Sequence, residues 1–250
     1  SLHDARPVSL VGAEPVFVDV LEDTYNMDPA SLEAAIALVK RECKLKPRAV
    51  MPVDLFGQPA DYRKLEPIVR GENLLLLCDA AQGFGGLLDG RRSGGIGDAA
   101  ATSFFPAKPL GCYGDGGAVF TNDAALDELL RSIRMHGQGN DRYENVRIGV
   151  NSRLDTIQAA ILLEKLKVFP QEIEMREAVA RRYSEAFHAT HSVRAPHVID
   201  GALSTWAQYT IQVPERSNLQ ADLKAKEIPT AVYYPIPLSR QKGYREFPSA

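Results

Sequence analysis

Three side chains of different chemistry stand where apolar, strand-like segments end in the middle of the sequence. Asp79 follows a run of leucines and Cys78, Ser103 ends the segment that begins at Ala99, and Lys108 comes five residues later, before a glycine-rich turn. Open α/β sheets bind ligands at the carboxyl ends of their strands. A carboxylate, a hydroxyl and an amine at such an edge could bind a phosphorylated molecule and attack it as a nucleophile.

Each of these signals is weak on its own. An isolated Asp after a strand is more often a helix N-cap, a lone loop lysine is more often solvated, and the glycines from Gly111 to Gly117 fit plain hairpin turns. Together, the side chains supply what a pyridoxal phosphate site requires: an amine for the Schiff base and proton transfer, a carboxylate for the pyridine nitrogen, and a hydroxyl for the phosphate. The sequence therefore predicts that Lys108, Asp79 and Ser103 bind pyridoxal 5'-phosphate.

The composition restricts the partners that the protein can bind. Its 250 residues carry a net charge of -3, and the basic residues are scattered among acidic ones. We therefore expect no nucleic-acid partner. The longest apolar stretch, Leu74 to Cys78, is far too short to span a bilayer, and the first residues lack a signal-peptide pattern. We expect no membrane segment.

The cysteines and the chain ends lead to three further expectations. Cys43, Cys78 and Cys112 are far apart, which fits neither a metal site nor a disulfide scaffold. We expect reduced thiols, no bound metal and a cytoplasmic location. The chain opens without Met and stops after a proline-rich, strand-like stretch, so we expect a fragment that is incomplete at both ends.

Short apolar segments alternate with helical patterns over the first half of the chain. Continuous apolar strands separated by helices predict an α/β fold with a mostly parallel sheet flanked by helices. Asp28 and Pro29 fit the cap and the first position of the first helix. The predicted strands are 16–20, 49–53, 74–79, 99–104 and 117–121, and the predicted helices are 31–39, 59–69 and 124–135.

The second half begins with a long polar segment, 136–152, of a length that is typical of functional or interface loops. Two helices, 154–168 and 170–189, a strand 207–213, a helix 217–227 and a strand 230–234 are predicted after it. This α+β pattern predicts a large cofactor-binding domain over residues 1–169 and a smaller C-terminal domain over 170–250.

Three motifs resemble those of the DegT/DnrJ/EryC1/StrS family of sugar aminotransferases, which have the fold of type I pyridoxal phosphate enzymes. They are DAAQ from Asp79, TSFFPAKPLGCYGDGGAVFTND from Thr102 and VRIGVNSRLDTIQAAILLEKL from Val146. The resemblance runs over the whole chain. The segments SFFPAKPLGCYGDGG and PTAVYYPIPL look closest to bacterial UDP-2-acetamido-2-deoxy-3-oxo-glucuronate aminotransferases of surface-polysaccharide synthesis.

The resemblance implies a role for each residue that matches a family motif. Lys108 matches the Schiff-base lysine, Asp79 the pyridinium partner and Ser103 the phosphate-binding serine. Gln82 matches the residue beside the cofactor ring and its 3-hydroxyl group. Asn151 matches an Asn that reaches the phosphate of the neighbouring subunit's cofactor, which implies a homodimer with shared active sites.

Three substrate-binding residues are implied in the same way. Arg153 matches an Arg offered across the dimer interface, where a guanidinium group would suit a sugar carboxylate. Tyr233 and Tyr234 fall where the family presents substrate-contacting side chains, but close relatives carry His-Tyr there, so Tyr233 is a departure. Without the resemblance, Asn151 and Arg153 would be interpreted as loop and N-cap residues, and the tyrosines equally well as packing residues.

The family also has a preceding segment with a Gly-Thr phosphate loop and a ring-stacking residue, and a closing C-terminal segment. This sequence contains neither, so we expect it to hold only part of the cofactor contacts.

The resemblance implies transamination, with glutamate as amino donor and a nucleotide-linked keto-sugar as acceptor. One alternative is a pyridoxamine-dependent sugar dehydratase, but those relatives carry His in place of the lysine. A second is a non-catalytic regulatory or scaffold protein, which the combination of Lys108, Asp79, Gln82 and Ser103 disfavours. A third is a Rossmann dehydrogenase, but Gly83 to Gly86 does not have the glycine spacing of that fold.

Overall fold

The computed structural model describes residues 2–141, 143–190 and 192–249. Ser1, His191 and Ala250 of the predicted domains, and Arg142 of the predicted loop, therefore lie outside the described residues. The helices are α1 (Leu2–Leu10), α2 (Pro29–Glu42), α3 (Tyr62–Gly71), α4 (Ala124–Arg134), α5 (Thr156–His188) and α6 (Arg216–Ala225). The strands are β1 (Ala49–Val50), β2 (Leu75–Asp79), β3 (Leu87–Leu88), β4 (Arg91–Arg92), β5 (Ala99–Ser103), β6 (Gly117–Phe120) and β7 (Ala202–Leu203), and 3₁₀ turns cover Leu55–Gly57 and Leu238–Arg240.

The main sheet has four strands in the order β1-β2-β5-β6. Strands β1, β2 and β5 are parallel, and β6 returns antiparallel to β5. The predicted α/β fold with a mostly parallel sheet is confirmed. Because β2 and β5 run in the same direction, their carboxyl ends lie at the same edge of the sheet.

The core of this sheet consists of the apolar face of β2 and the helices that cover it. Leu76, Leu65 and Val69 are fully buried, and they pack in one cluster with residues of α2 and β1. Side chains of a strand alternate between its two faces, which explains why Leu75 is exposed while Leu76 is buried.

A second, antiparallel sheet in the order β4-β3-β7 brings a distant part of the chain back to the first half. Leu87 pairs with Leu203, and Leu88 pairs with Ala202. These two-residue strands were not among the predicted elements. Their pairing places residues 204–206 beside the turn that follows β2.

The start of α2 agrees with the sequence prediction. The Asp28 side chain accepts a hydrogen bond from the amide of Ala30 at 2.9 Å, and Pro29 is the first helical residue. The cap satisfies one of the amides that a helix leaves without a partner at its start.

The predicted strands 16–20, 207–213 and 230–234 are wrong. Residues 16–20 form only isolated bridges, Phe17 with Ser249 and Val20 with Met27, so no continuous ladder develops. In the segment 207–213, one bridge joins Gln212 to Arg194, and Tyr209 packs its ring against Tyr183 of α5. The segment 230–234 is mostly exposed and forms no ladder within the described residues. Aromatic and β-branched residues favour strands only where a neighbouring strand can pair with them.

The two helices predicted for 154–168 and 170–189 are one helix, α5, which continues through Pro170. Proline removes one helical hydrogen bond and disfavours a helix interior. Here Leu162, Phe169 and Ile173 are buried on both sides of the proline in one apolar cluster, and this packing offsets the local cost. The division into domains at residue 170 stays a prediction. Within the described residues, no helix has the length and apolar character needed to span a membrane.

Candidate active site

Asp79 is the last residue of β2, and its backbone amide and carbonyl groups both form hydrogen bonds. Its amide donates to the carbonyl of Pro52, and its carbonyl accepts from the amide of Asp54, both at 2.9 Å. Its half-buried side chain accepts a hydrogen bond from the amide of Ala81 at 2.8 Å, which starts the turn after the strand. The carboxylate is therefore held at the carboxyl edge of the sheet.

Gln82 lies in this turn and is buried. Its side-chain oxygen accepts a hydrogen bond from the amide of Phe56 at 2.7 Å, and its carbonyl accepts one from the hydroxyl of Thr205, also at 2.7 Å. Thr205 in turn donates its amide to the carbonyl of Gly57 at 2.9 Å. Two segments that are distant in sequence, residues 56–57 and Thr205, thus fix the position of Gln82.

Ser103 ends β5, and Lys108 lies in the loop of residues 104–116, which we call the Lys108 loop. The Ser103 hydroxyl accepts a hydrogen bond from the amide of Phe105 at 3.2 Å, and the carbonyl of Phe105 accepts one from the amide of Lys108 at 2.9 Å. The loop closes on itself because the amide of Phe104 donates to the carbonyl of Gly116 at 2.8 Å. The side chains of Ser103 and Lys108 are both half-buried.

The strand register brings these residues to one edge of the sheet. Asp79 pairs with Ala101, and Ser103 lies two residues further along the parallel neighbour β5. The Lys108 loop leaves from the same end of β5. This edge is where open α/β sheets bind ligands. That the side chains of Asp79, Ser103 and Lys108 act on one ring stays a prediction.

Asn151 and Arg153 are exposed; Asn151 lies near the end of the polar segment 136–152, and Arg153 follows it. This segment doubles back towards the end of α4, since Asn151 forms a bridge with Met135 and the amide of His136 donates to the carbonyl of Val150 at 3.0 Å. Arg153 stands just before α5. Both side chains are thus presented on the surface.

Tyr233 and Tyr234 are also exposed, and they pack against each other edge to face with ring centroids 5.8 Å apart. Their location on the surface leaves their assignment to a substrate a prediction.

Sequence reasoning missed a buried polar network behind Asp79. The fully buried Asp54 carboxylate accepts hydrogen bonds from the hydroxyl of Tyr62 at 2.7 Å, from the amide of Ala60 at 3.0 Å and from the hydroxyl of Ser93. Burial raises the pKa of the Asp54 carboxyl from its ordinary value of 3.8 to about 6, against the lowering effect of these hydrogen bonds. Asp54 directly follows the predicted strand 49–53, much as Asp79 ends the strand 74–79, and this was the available signal.

Asp54 also touches the turn that contains Gln82. A Cβ atom added to Gly83 would lie 2.4 Å from the Cβ of Asp54, so only glycine fits at position 83 without a backbone shift. The side chain of Asp54 therefore packs against the backbone of this turn and restricts its position. Within the described residues, no group of three or more His, Cys, Asp and Glu side chains is arranged to hold a metal ion.

Comparisons with known proteins give consistent matches over nearly the whole chain. The family model described as the DegT/DnrJ/EryC1/StrS aminotransferase family matches residues 4–249. The UDP-2-acetamido-2-deoxy-3-oxo-D-glucuronate aminotransferase of Pseudomonas aeruginosa is 47% identical over 237 residues, which cover 95% of this chain and 64% of that protein. A protein of Geobacillus stearothermophilus named pleiotropic regulatory protein is 42% identical, over 97% of this chain and 65% of its own length.

Among solved structures, a DegT DnrJ EryC1 StrS aminotransferase from Brucella abortus has a TM-score of 0.97 and 52% identity to this chain. The match covers 100% of this chain and 66% of that one. The chain thus spans slightly less than two thirds of the length of these relatives.

Proposed function

Because this chain belongs to the DegT/DnrJ/EryC1/StrS aminotransferase family, we propose that it acts in the pyridoxal-phosphate-dependent transfer of an amino group from glutamate to a nucleotide-linked keto-sugar. The observation that carries the proposal is the placement of Asp79, Ser103 and the Lys108 loop at one edge of a parallel sheet. The name of the Pseudomonas aeruginosa relative supports a UDP-linked 3-keto-glucuronate type of acceptor.

The groups at this edge fit the proposed cofactor. The side chains of Lys108, Asp79 and Ser103 are half-buried, and the buried side chain of Gln82 lies in the turn after Asp79. When bound, pyridoxal phosphate supplies an electron sink that makes the Cα proton of an amino acid removable. Ser103 would bind the phosphate, Gln82 would contact the ring and its 3-hydroxyl group, and Lys108 would attach the cofactor covalently.

Lys108 has a second role, as the base and acid of the proton transfer. Its Nζ atom would take the proton from the substrate Cα and deliver it to the C4′ carbon on the cofactor side, which requires a flexible amine beside the reacting atoms. The half-buried position of Lys108, in a loop whose backbone is tied to Phe105, suits this role. Asp79 would hold a proton on the pyridine nitrogen, because a fixed carboxylate favours the charged form of a neighbouring base.

We assign Asn151 and Arg153 to the active site of a second subunit in a homodimer. The surface around them exposes large apolar side chains, which is typical of a protein interface: Tyr143 is 88% exposed, Ile148 97% and Ile157 74%. Asn151 would reach the phosphate of the partner's cofactor. Arg153 would bind a carboxylate of the sugar nucleotide, and Tyr233 and Tyr234 would line the same substrate site.

The proposed reaction belongs to the synthesis of surface polysaccharide such as lipopolysaccharide, in the cytoplasm, where nucleotide sugars are made. A second candidate function is regulation by a non-catalytic protein of this fold, which is favoured by the name of the Geobacillus stearothermophilus relative. A sugar dehydratase of the same family is disfavoured by the lysine at position 108.

An absorbance spectrum of the purified protein with added pyridoxal phosphate tests the proposal. We expect a visible band that depends on Lys108 and that disappears when glutamate is added and returns when a UDP-linked keto-sugar follows. A protein that binds no cofactor would favour the regulatory function. A Lys108-dependent band that glutamate leaves unchanged, but that another amino acid removes, would show that another amino donor is used.

A further inference from the structure

Helix α5 touches the Lys108 loop through two polar side chains. The side-chain oxygen of Gln158 accepts a hydrogen bond from the amide of Tyr113 at 2.7 Å. The ammonium group of Lys165 donates to the carbonyl of Gly111 at 2.5 Å and lies 5.8 Å from the centroid of the Tyr113 ring. Residues seven apart lie on the same face of a helix, so both side chains point at the same stretch of loop.

The loop transmits these contacts to the turn that carries Lys108. A Cβ atom added to Gly111 would lie 2.6 Å from the carbonyl oxygen of Pro106 and 2.7 Å from that of Phe105. The backbone held by Lys165 is therefore in direct contact with the Phe105–Pro106 backbone. The same Phe105 carbonyl accepts the amide of Lys108.

The side chain of Cys112 fills the interior of the loop. Its fully buried thiol lies 3.0 Å from the carbonyl oxygen of Phe104 and 3.1 Å from that of Gly114. A Cβ atom at Gly116 would lie 2.9 Å from Leu154, which precedes α5. Because the loop has so little free space, a displacement at residues 111–113 must move the turn at 105–108 as well.

We propose that Gln158 and Lys165 are positioning residues for Lys108, which hold its amine at the carboxyl edge of the sheet. This inference rests on the proposed function, in which Lys108 is the nucleophile. Two ordinary packing residues would fill the space beside the loop, but they would not bind its Tyr113 amide and its Gly111 carbonyl, which point at α5.

The helix offers matched variants for a test. Gln158→Leu removes the acceptor for the Tyr113 amide, whereas Gln158→Glu retains an acceptor oxygen. Lys165→Met removes the donor, whereas Lys165→Arg retains one. Lys167→Met is the control, because Lys167 is exposed on the same helix and pairs with Glu164 at 2.7 Å, away from the loop.

Two measurements separate the inference from the proposed function. Amide hydrogen exchange of residues 104–116 reports on the loop without any cofactor. Titration with pyridoxal phosphate, followed by the absorbance band that depends on Lys108, reports on the amine. We expect exchange of the loop amides to rise about threefold to tenfold in Gln158→Leu and Lys165→Met, the effect of losing one hydrogen bond. We expect the titration midpoint to rise by a similar factor, and the Glu and Arg variants to stay near the wild type.

The inference is overturned if the Leu and Met variants exchange like Lys167→Met. It is also overturned if their loop amides exchange faster while the titration is unchanged, because both residues would then only stabilise the loop. A wild-type protein with a protected loop but no Lys108-dependent band would instead overturn the proposed function. Gln158 and Lys165 would then hold the loop without positioning a nucleophile. If Gln158→Leu fails to fold, Lys165→Met provides the same test.

Discussion

The side-chain oxygen of Gln82 accepts the backbone amide of Phe56 at 2.7 Å, and this bond joins the turn after β2 to the 3₁₀ turn Leu55–Gly57. Phe56 has a positive φ of 60°, a conformation that costs free energy in a residue with a side chain. The bond to Gln82 helps to hold that conformation. A predicted cofactor contact and a strained backbone therefore stabilise each other.

Thr205 completes this arrangement from the other side, and we expect its hydroxyl to be important for stability. Thr205→Val keeps the shape of the side chain but leaves the carbonyl of Gln82 without the hydroxyl donor at 2.7 Å. Loss of a buried partner should lower the free energy of unfolding by about 1–3 kcal/mol in urea denaturation. Thr205→Ser retains the hydroxyl and is the control. A Thr205→Val variant as stable as the wild type would show that the hydrogen bond contributes nothing.

The Asp54 carboxyl should make stability depend on pH. Its pKa is about 6 in the folded protein and 3.8 ordinarily, so the folded state binds the proton more tightly than the unfolded state. The resulting stabilisation is full below pH 3.8 and is lost as the pH rises through 6. Over that range the loss is about 3 kcal/mol, because one pKa unit corresponds to about 1.4 kcal/mol.

Asp54→Asn removes this titration, so the stability of the variant relative to wild type should rise by about 2.5 kcal/mol between pH 4 and pH 7.5. Denaturant unfolding at several pH values measures the difference. Asp61→Asn is a control for which the pH dependence of stability should have the opposite sign. Partial burial raises the pKa of Asp61, but Arg63 and Lys64 outweigh this and lower it, so its stabilisation is lost as the pH falls. A difference for Asp54→Asn that does not change with pH would contradict the shifted pKa.

Lys108→Ala should abolish transamination and the Lys108-dependent absorbance band while the fold stays intact. The side chain is half-buried in a loop and is not part of either apolar cluster of described residues. Its removal should therefore change the free energy of unfolding by less than about 0.5 kcal/mol. Turnover of glutamate and keto-sugar by Lys108→Ala at an ordinary rate would refute the proposed mechanism.

Asp79→Asn should leave the cofactor bound but reduce kcat strongly. An Asn side chain still offers an oxygen to the amide of Ala81, so the turn after β2 should be retained. The pyridine nitrogen would lose the carboxylate that favours its protonated form, and we expect kcat to fall roughly 100-fold, as for other fixed electrostatic partners. Unchanged kcat with bound cofactor would show that Asp79 only caps the turn.

The placement of Asp79 and Ser103 could be predicted because both end continuous, mostly apolar strands, whose pattern is typical of a covered parallel sheet. The cap at Asp28 could be predicted because it depends on neighbouring residues alone. The course of α5 could not, since Pro170 is a local signal for a break and the opposing signal is the burial of Phe169 by residues distant in sequence.

The same limit applies to the part of the candidate site that was missed. Asp54 follows a predicted strand and Asp79 ends one, but the hydrogen bonds that hold Asp54 come from Tyr62 and Ser93, which converge only in the folded chain. Strands β3, β4 and β7 are two residues long, too short for any alternation to be recognised. Trp206 and Tyr209 resemble strand residues in type, yet their rings pack on one another beside α5.

The shared active site is tested by Arg153, the exposed residue that precedes α5. If Arg153 binds the carboxylate of a sugar nucleotide in the partner's site, Arg153→Ala should weaken sugar binding more than the reaction with glutamate. A guanidinium–carboxylate pair contributes about 1.5–3 kcal/mol, so KM for the sugar nucleotide should rise roughly 10-fold to 100-fold. Steady-state kinetics with each substrate varied separately measures this.

Mixing Lys108→Ala with Arg153→Ala subunits then decides whether the site is shared. In a symmetric dimer, each hybrid would have one site with both substitutions and one site with neither. Random exchange makes about half of the dimers hybrids, so mixing should restore about a quarter of the wild-type sugar amination. Each variant mixed with itself is the control. If hybrid dimers form but no activity returns, Arg153 acts within its own subunit, and the exposed surface around Ile148 and Ile157 has another purpose.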